Sequence, residues 1–317
     1  MIKLIKIIGL YCVILLSPLV LMNTMAAERY LAPVIHYVLD QARELTALEK
    51  VLQAYENPAS EHIFIAAHRG GRENDIADNA PGNSIANINN AVSNGFDLYE
   101  SDIEILGDDT LIVFHDDHFN DLTNSTVDND LLDTRDLDYA KTLFLTFTDG
   151  SVSNQRIPTL EEFLIAGKDK IMFKFDLKSG TFGGSTLRRI FDTVVATNTV
   201  DQVLIRGGQN LLDTAANGGY DTRMIMRRFN TAPTVAEINA LANFDLRAIS
   251  IPDGASDEVI AAANALELVV EIHESQDANL PLEDSWENGI TQGVRQFHSF
   301  KPSQLKAYLV ATGQREF

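Results

Sequence analysis

Residues 63–71 read IFIAAHRGG, residues 80–105 read APGNSIANINNAVSNGFDLYESDIEI, and residues 111–117 read LIVFHDD. The first run is apolar and ends in His68. The second opens on a capping residue, Asn83 or Ser84, keeps helical spacing over 84–94, and closes on a β-rich run at 98–103. Glu100 and Asp102 stand at i and i+2 of that run, so both carboxylates leave one face of a strand. The run LIVF follows the turn GDDT so closely that it can only pair antiparallel with 98–103, and it ends in His115. Two histidines and a carboxylate pair are enough to hold a divalent metal and to move protons.

The same alternation continues down the chain. Strands are expected at 63–67, 98–103, 171–176, 203–206, 223–227, 247–251, 268–272 and 294–298. Helices are expected near 84–94, 159–167, 184–197, 209–217, 234–243, 256–265, 282–292 and 302–311. Several carry good caps: Thr159 ahead of Glu162, Thr234 ahead of Glu237, and Ser256. Eight strands alternating with eight helices is the count of a (β/α)8 barrel. A doubly wound open sheet gives the same alternation, so periodicity leaves both open. Residues 105–157 break the repeat. They read as a small insertion on the carboxyl-terminal side of strand two, which carries His115 back over a barrel mouth.

With 317 residues and 45% apolar content, the chain can bury a barrel-sized core. Its net charge of −20 argues against nucleic acid or an anionic membrane surface as the main partner. An anionic substrate would also be repelled unless a cation or a local Lys/Arg cluster reversed the field. At the amino terminus, Lys3 and Lys6 precede an apolar run from Ile7 to Met22, with small residues around Ala26 and Ala27. These are the parts of a secretory signal, here 1–27, or of an uncleaved anchor, which would be the chain's contact with a membrane. The only cysteine, Cys12, lies inside it, so the mature chain would have no disulfide; export to a bacterial periplasm or the medium fits. Residues 28–60 read as a helical extension ahead of a barrel spanning 61–317.

Further charged residues sit at strand positions. Two carboxylates on the interior face of a barrel strand are costly unless they bind a cation. In IMFKFDLK, Lys174, Asp176 and Lys178 share one face, so Asp176 is a candidate third metal ligand and Lys178 a phosphate partner; an internal salt-bridge ladder is the alternative. Arg69 offers a guanidinium for a phosphate oxygen, though a surface turn would look the same. His115-Asp116 reads as an acid/base with an orienting carboxylate. Arg206, Arg227 and Arg228 either reach the mouth or pair with acids, Glu271 and His273 could line a pocket, and Trp286 reads as helix packing. The acidic stretch Asp128, Asp130, Asp133, Asp136 and Asp138 lacks EF-hand spacing and reads as a solvated surface.

Taken in order, HRG at 68–70, P-x-N-S at 81–84, E-x-D at 100–102, HD at 115–116, PTLEEFL at 158–164 and F-D-L-K at 175–178 resemble the glycerophosphodiester phosphodiesterase family. The resemblance extends through GVRQFHSFKPSQLKAYL, 293–309. It implies a TIM barrel with an insertion after strand two. It also implies His68 and His115 as general acid and base, Arg69 and Lys178 at the phosphate, and Glu100, Asp102 and Asp176 around one Mg2+ or Ca2+. The implied substrate is a small phosphodiester, glycerophosphodiester or lipid-derived, cleaved to an alcohol and glycerol phosphate. Departures are Gly82 where the family has glutamate, Asp121 where an arginine follows the HD motif, and Glu271-Ile272-His273-Glu274 and His298-Ser299 in the late strands. Asp176, where the family usually has glutamate, resembles the sphingomyelinase D branch, which acts on choline phospholipids. A binding barrel without turnover is the third reading.

Overall fold

The computed structural model describes residues 44–178, 182–274 and 282–315. The leader 1–27, Cys12 and the extension up to residue 43 lie outside the described residues. In chain order the elements begin α1 (Ala47–Glu56), β1 (Phe64–Ala67), α2 (Ile85–Ser93), β2 (Leu98–Ile105), β3 (Leu111–Val113), α3 (Leu137–Ala140), β4 (Phe144–Thr146) and β5 (Val152–Arg156). They continue α4 (Leu160–Gly167), β6 (Met172–Leu177), α5 (Gly184–Ala196), β7 (Val203–Gly207), α6 (Gln209–Gly218), β8 (Ile225–Arg228) and α7 (Val235–Asn239). Then come β9 (Ala248–Ile251), α8 (Asp257–Ala265), β10 (Val269–His273), α9 (Leu282–Gln292), β11 (Gln296–Ser299) and α10 (Pro302–Ala311).

β1, β2, β6, β7, β8, β9, β10 and β11 lie side by side in that order, all parallel, and β11 pairs back onto β1. The sheet closes, so the fold is a TIM barrel and not an open doubly wound sheet. β1 meets β2 only through Ala66↔Leu98 and Ala67↔Tyr99. Beyond that point β2 outlasts β1, and the freed edge takes β3 antiparallel, Ile103 opposite Val113.

The strand period of two divides the barrel into layers. Tyr99, Phe173, Ile205, Ile249 and Val270 point outward and pack under the helices. The intervening residues point inward. Near the amino-terminal ends these are apolar, with Leu98, Met172, Leu204, Ala248 and Val269 packed with Leu48, Val51 and Tyr55 of α1, which closes the floor. Two residues further along the same strands the side chains are Glu100, Lys174, Arg206, Ser250 and Glu271, all buried. The apolar lower layer stabilises the barrel at about 25 cal/mol per Å² buried. The polar upper layer costs free energy and is held by pairing.

Helix starts follow their caps. Ser84 Oγ accepts from the Asn87 amide, and Thr159–Glu162 and Thr234–Glu237 both form complete capping boxes. The expected helix over 234–243 is shorter: α7 stops at Asn239 and a 3₁₀ turn carries Ala240–Asn243.

Between β2 and α4 the chain builds its own small core from Leu106, Ile112, Phe114, Phe119, Leu132, Leu145 and Ile157, with a β4–β5 hairpin at its edge. Here one expectation is corrected. Asp130 does not belong to a solvated acidic surface: it is 1% exposed. Its carboxylate accepts from Ser125 Oγ (2.6 Å), Arg135 Nε (2.7 Å) and Tyr139 Oη (2.5 Å), which offsets the cost of burying it.

Candidate active site

β1 ends at Ala67, and the chain turns through a single 3₁₀ turn, His68–Gly70. Arg69 adopts φ +46° and Gly70 φ +71°. A side chain at Gly70 would stand 2.1 Å from the Tyr99 ring, so the turn closes onto β2 only because residue 70 is glycine. Tyr99 Oη in turn accepts from the Asn83 amide at 3.0 Å, and Asn87 Nδ2 donates to the Arg69 carbonyl at 3.0 Å. Asn83 Oδ1 accepts from Ser101 Oγ at 2.9 Å. The P-x-N-S segment is therefore the brace that fixes the HRG turn against β2.

That brace places the Arg69 amide 3.1 Å from Glu100 Oε2. In the β2–β6 register Asp102 lies opposite Asp176, and Glu100 opposite Lys174. One oxygen from each of Glu100, Asp102 and Asp176 falls within 4.8 Å of the others. Asp102 Oδ2 and Asp176 Oδ1 are buried and lack a hydrogen-bond partner. Around them stand Lys178 (Nζ 3.1 Å from Asp102 Oδ1), Arg69 (Nε 3.7 Å from Asp102 Oδ2) and Arg206, paired with Asp176 Oδ2. Burial, and then the charges of Asp102 and Asp176, push Glu100 well above the usual carboxylate range. Burial likewise raises Asp102 despite Lys178, His115 and Arg69. Orphaned hard oxygens that resist carrying charge together suit a cation of the Mg2+ or Ca2+ kind.

The histidines occupy different settings. His68 packs tilted against Phe300 (centroids 4.4 Å) and stacks on His298 (5.5 Å). Burial first, then the charges of Arg69 and Arg72, lower it to about 2, so its imidazole is neutral. His115 follows β3 and is half-buried; its Nδ1 meets Asp116 Oδ1, and this hydrogen bond holds Asp116 below the usual carboxylate range. Nε2 of His115 has no hydrogen-bond partner among the described residues.

Beneath the carboxylates runs a buried chain that the motifs do not mark. Lys174 Nζ lies 2.9 Å from Glu271 Oε1 and 2.8 Å from His298 Nδ1. His273 Nε2 is 2.9 Å from the same His298 nitrogen. Glu271 Oε2 accepts from Gln296 Nε2, whose Oε1 accepts from Tyr55 Oη on α1. Because the Lys174 ammonium can only donate, it makes His298 Nδ1 an acceptor and sets Nε2 as the protonated nitrogen, facing Glu100 Oε2 at 3.6 Å. Lys174 is thus a ladder residue, as the alternative reading of IMFKFDLK had it. Asp121 is exposed and its carboxylate meets His118. Trp286 packs in the helix layer and donates to Glu274.

The family model for the glycerophosphoryl diester phosphodiesterase family matches residues 68–311. The chain belongs to that family. Membership makes it a phosphoric diester hydrolase acting on small glycerophosphodiesters. Among solved structures, a glycerophosphoryl diester phosphodiesterase from Parabacteroides distasonis is similar at TM-score 0.68 and 20% identity, covering 85% of this chain and 93% of that one. A glycerophosphodiester phosphodiesterase from Agrobacterium tumefaciens is similar at TM-score 0.61 and 17% identity, with 77% and 99% covered. An Oleispira antarctica phosphodiesterase in complex with the product sn-glycerol-3-phosphate is similar at TM-score 0.64 and 19% identity, with 80% and 99% covered. At these identities the likeness is one of fold. No curated protein matches the chain.

The residues that resemble the family's motifs gather at the carboxyl-terminal mouth of the barrel, where TIM-barrel sites form. Sequence reading gave no role to two others, Arg72 and His298. Arg72 shows only as a polar residue in a turn, and the pairing of Lys174 with Glu271 joins two strands distant in sequence. For His298 the available signal was a histidine on the last strand, next to the apolar Phe297.

Proposed function

We propose that this phosphodiesterase works with one divalent cation, Mg2+ or Ca2+, held by Glu100, Asp102 and Asp176, and with His68 and His115 as its proton-transfer pair. The reaction is hydrolysis of a glycerophosphodiester to an alcohol and glycerol phosphate. The observation that supports it is the convergence of three buried carboxylates, two of them with orphaned oxygens, beside two histidines at the barrel mouth. When bound, the cation supplies Lewis-acid polarisation of a phosphate oxygen and offsets the chain's negative field.

The protein's own groups do the rest. Arg69 and Lys178 border the carboxylates and stabilise negative charge as it redistributes over the phosphate. His68, neutral and partly buried, accepts the proton of the attacking hydroxyl, which belongs to water or to a neighbouring substrate hydroxyl. An anionic phosphodiester entering among Arg69, Arg72 and Lys178 offsets the cations that depress His68. His115, with the Asp116 carboxylate on Nδ1, carries the proton for the leaving alcohol. Each transfer contributes about 10²–10⁴ in rate. The leader read at 1–27 supports action after export.

The test is hydrolysis of bis(p-nitrophenyl) phosphate and of glycerophosphocholine before and after chelation. Turnover should vanish with chelator and return with Mg2+ or Ca2+. Undiminished turnover in the chelated protein would overturn the metal role.

A further inference from the structure

Of the buried carboxylates Glu100, Asp102, Asp176 and Glu271, three face a cation from the chain itself. Asp102 has Lys178 and Arg69, Asp176 has Arg206, and Glu271 has Lys174. Glu100 has no lysine or arginine side chain paired with it among the described residues. Its Oε2 accepts from the Arg69 amide at 3.1 Å and faces His298 Nε2 at 3.6 Å. The two side chains are closed to solvent, Glu100 at 1% and His298 at 3% exposed, and Nε2 has no hydrogen-bond partner among the described residues.

Two roles are open to a histidine placed there. His68, Glu100 and His298 each offer one atom within 4.8 Å of the others, which is near enough for the ring to be a metal ligand. The other role is to donate to Glu100 and position it. Lys174 decides between them. A ligating Nε2 needs the ring proton on Nδ1. Lys174 Nζ lies 2.8 Å from Nδ1, and an ammonium has protons to give and no lone pair to receive one. Glu271 Oε1, 2.9 Å from the same Nζ and equally buried, holds the ammonium in place. His273 Nε2 stands 2.9 Å from Nδ1 and could take its proton only if Lys174 withdrew. The proton is therefore on Nε2, facing Glu100.

We infer that Lys174 locks His298 as a donor, so that His298 is a positioning residue for the metal ligand Glu100 and its imidazole stays out of the coordination sphere. This rests on the metal reading above. Held by the Arg69 amide and His298, Glu100 stays turned toward Asp102 and Asp176, and the cluster presents oxygen ligands alone. That favours Mg2+ or Ca2+ over the softer divalent metals that imidazole attracts.

The first readout needs no metal. Nitrogen NMR of labelled histidine should show the wild-type His298 ring protonated on Nε2 and bare on Nδ1, its signals assigned by their loss in His298→Phe. The double variant Lys174→Met, Glu271→Gln removes the ammonium without orphaning a buried acid, and there the proton should move toward Nδ1. The second readout is calorimetric. His298→Phe keeps a ring against His68 and Phe300 but loses the donor, so its Kd for Mg2+ or Ca2+ should rise by about tenfold or more. His298→Gln, which restores a donor, should recover part of that loss. The double variant should also gain affinity for Zn2+ relative to Mg2+. A wild-type ring protonated on Nδ1, a tautomer or a Zn2+ preference unmoved in the double variant, or an unchanged Kd in His298→Phe would overturn the inference. If the double variant does not fold, the wild-type spectrum and the His298→Phe titration still decide it. If the wild-type protein binds neither Mg2+ nor Ca2+, the metal reading fails on its own, and the ring tautomer alone decides whether Lys174 is a lock.

Discussion

His68 and His115 illustrate how much the surroundings of one residue decide. His68 lies under Phe300 and among arginines, and it is neutral. His115 lies at the lip of the mouth with a carboxylate on one nitrogen and no hydrogen-bond partner on the other among the described residues. If His115 has the proposed role, removing it deletes a proton path without opening the core. His115→Ala should lower kcat by about 10²–10⁴ on substrates with poor leaving groups. It should cost much less on bis(p-nitrophenyl) phosphate, whose leaving group needs no proton, and Tm should hardly move. Equal losses on both substrates would refute His115 as the proton donor. Gly70 is the opposite kind of residue, far from chemistry in role but not in place. Gly70→Ala drives a methyl into the Tyr99 ring at a positive φ, so it should destabilise by about 1–3 kcal/mol from overpacking alone. A thermal melt at wild-type stability would show that the HRG turn does not depend on that close approach.

At the scale of elements, the insertion between β2 and α4 is the least conventional part of the barrel. It has no helix of more than one turn among its described residues and depends on a small apolar core plus Asp130. Asp130→Ala would leave Ser125 Oγ, Arg135 Nε and Tyr139 Oη without their shared acceptor. Amide exchange over 119–139 should then quicken while the barrel strands keep their protection. Uniform exchange throughout the chain would argue against a locally stabilised unit. The same segment marks how much the sequence could tell. The barrel strands were legible to within two residues at each end, because each carries an apolar outward face that packs under a helix. Glu100, Asp102 and Asp176 were legible as candidates because charge on such strands is costly. Asp130 was not, since burial of an acid depends on three donors brought together by the loop itself. The ladder was legible only as an alternative for IMFKFDLK; the partners of Lys174, which are Glu271 and His298, were not, since they lie on β10 and β11 with no spacing shared with β6.

At the scale of the whole molecule, an acidic chain carries a cationic mouth built over a carboxylate cluster, and that arrangement ties stability to pH and to metal. Glu100 and Asp102 are both raised in the folded protein, above ordinary values of 4.5 and 3.8, by burial before any other cause. A raised carboxylate favours the folded state where it is protonated. The contribution is complete below those ordinary values and is lost as pH rises through the folded ones. The metal-free protein should therefore lose stability from about pH 5 upward on account of this pair. A cation held at the proposed site would bind the deprotonated cluster and displace those protons, so its effect would have the opposite slope. Saturating Ca2+ or Mg2+ at one hundred times Kd adds about 2.7 kcal/mol. The rise in Tm on adding metal should accordingly be larger near about pH 8 than near about pH 5.5, and Glu100→Gln should flatten the difference. A metal-induced rise that is the same at both pH values would mean that the buried carboxylates are not the groups the cation meets.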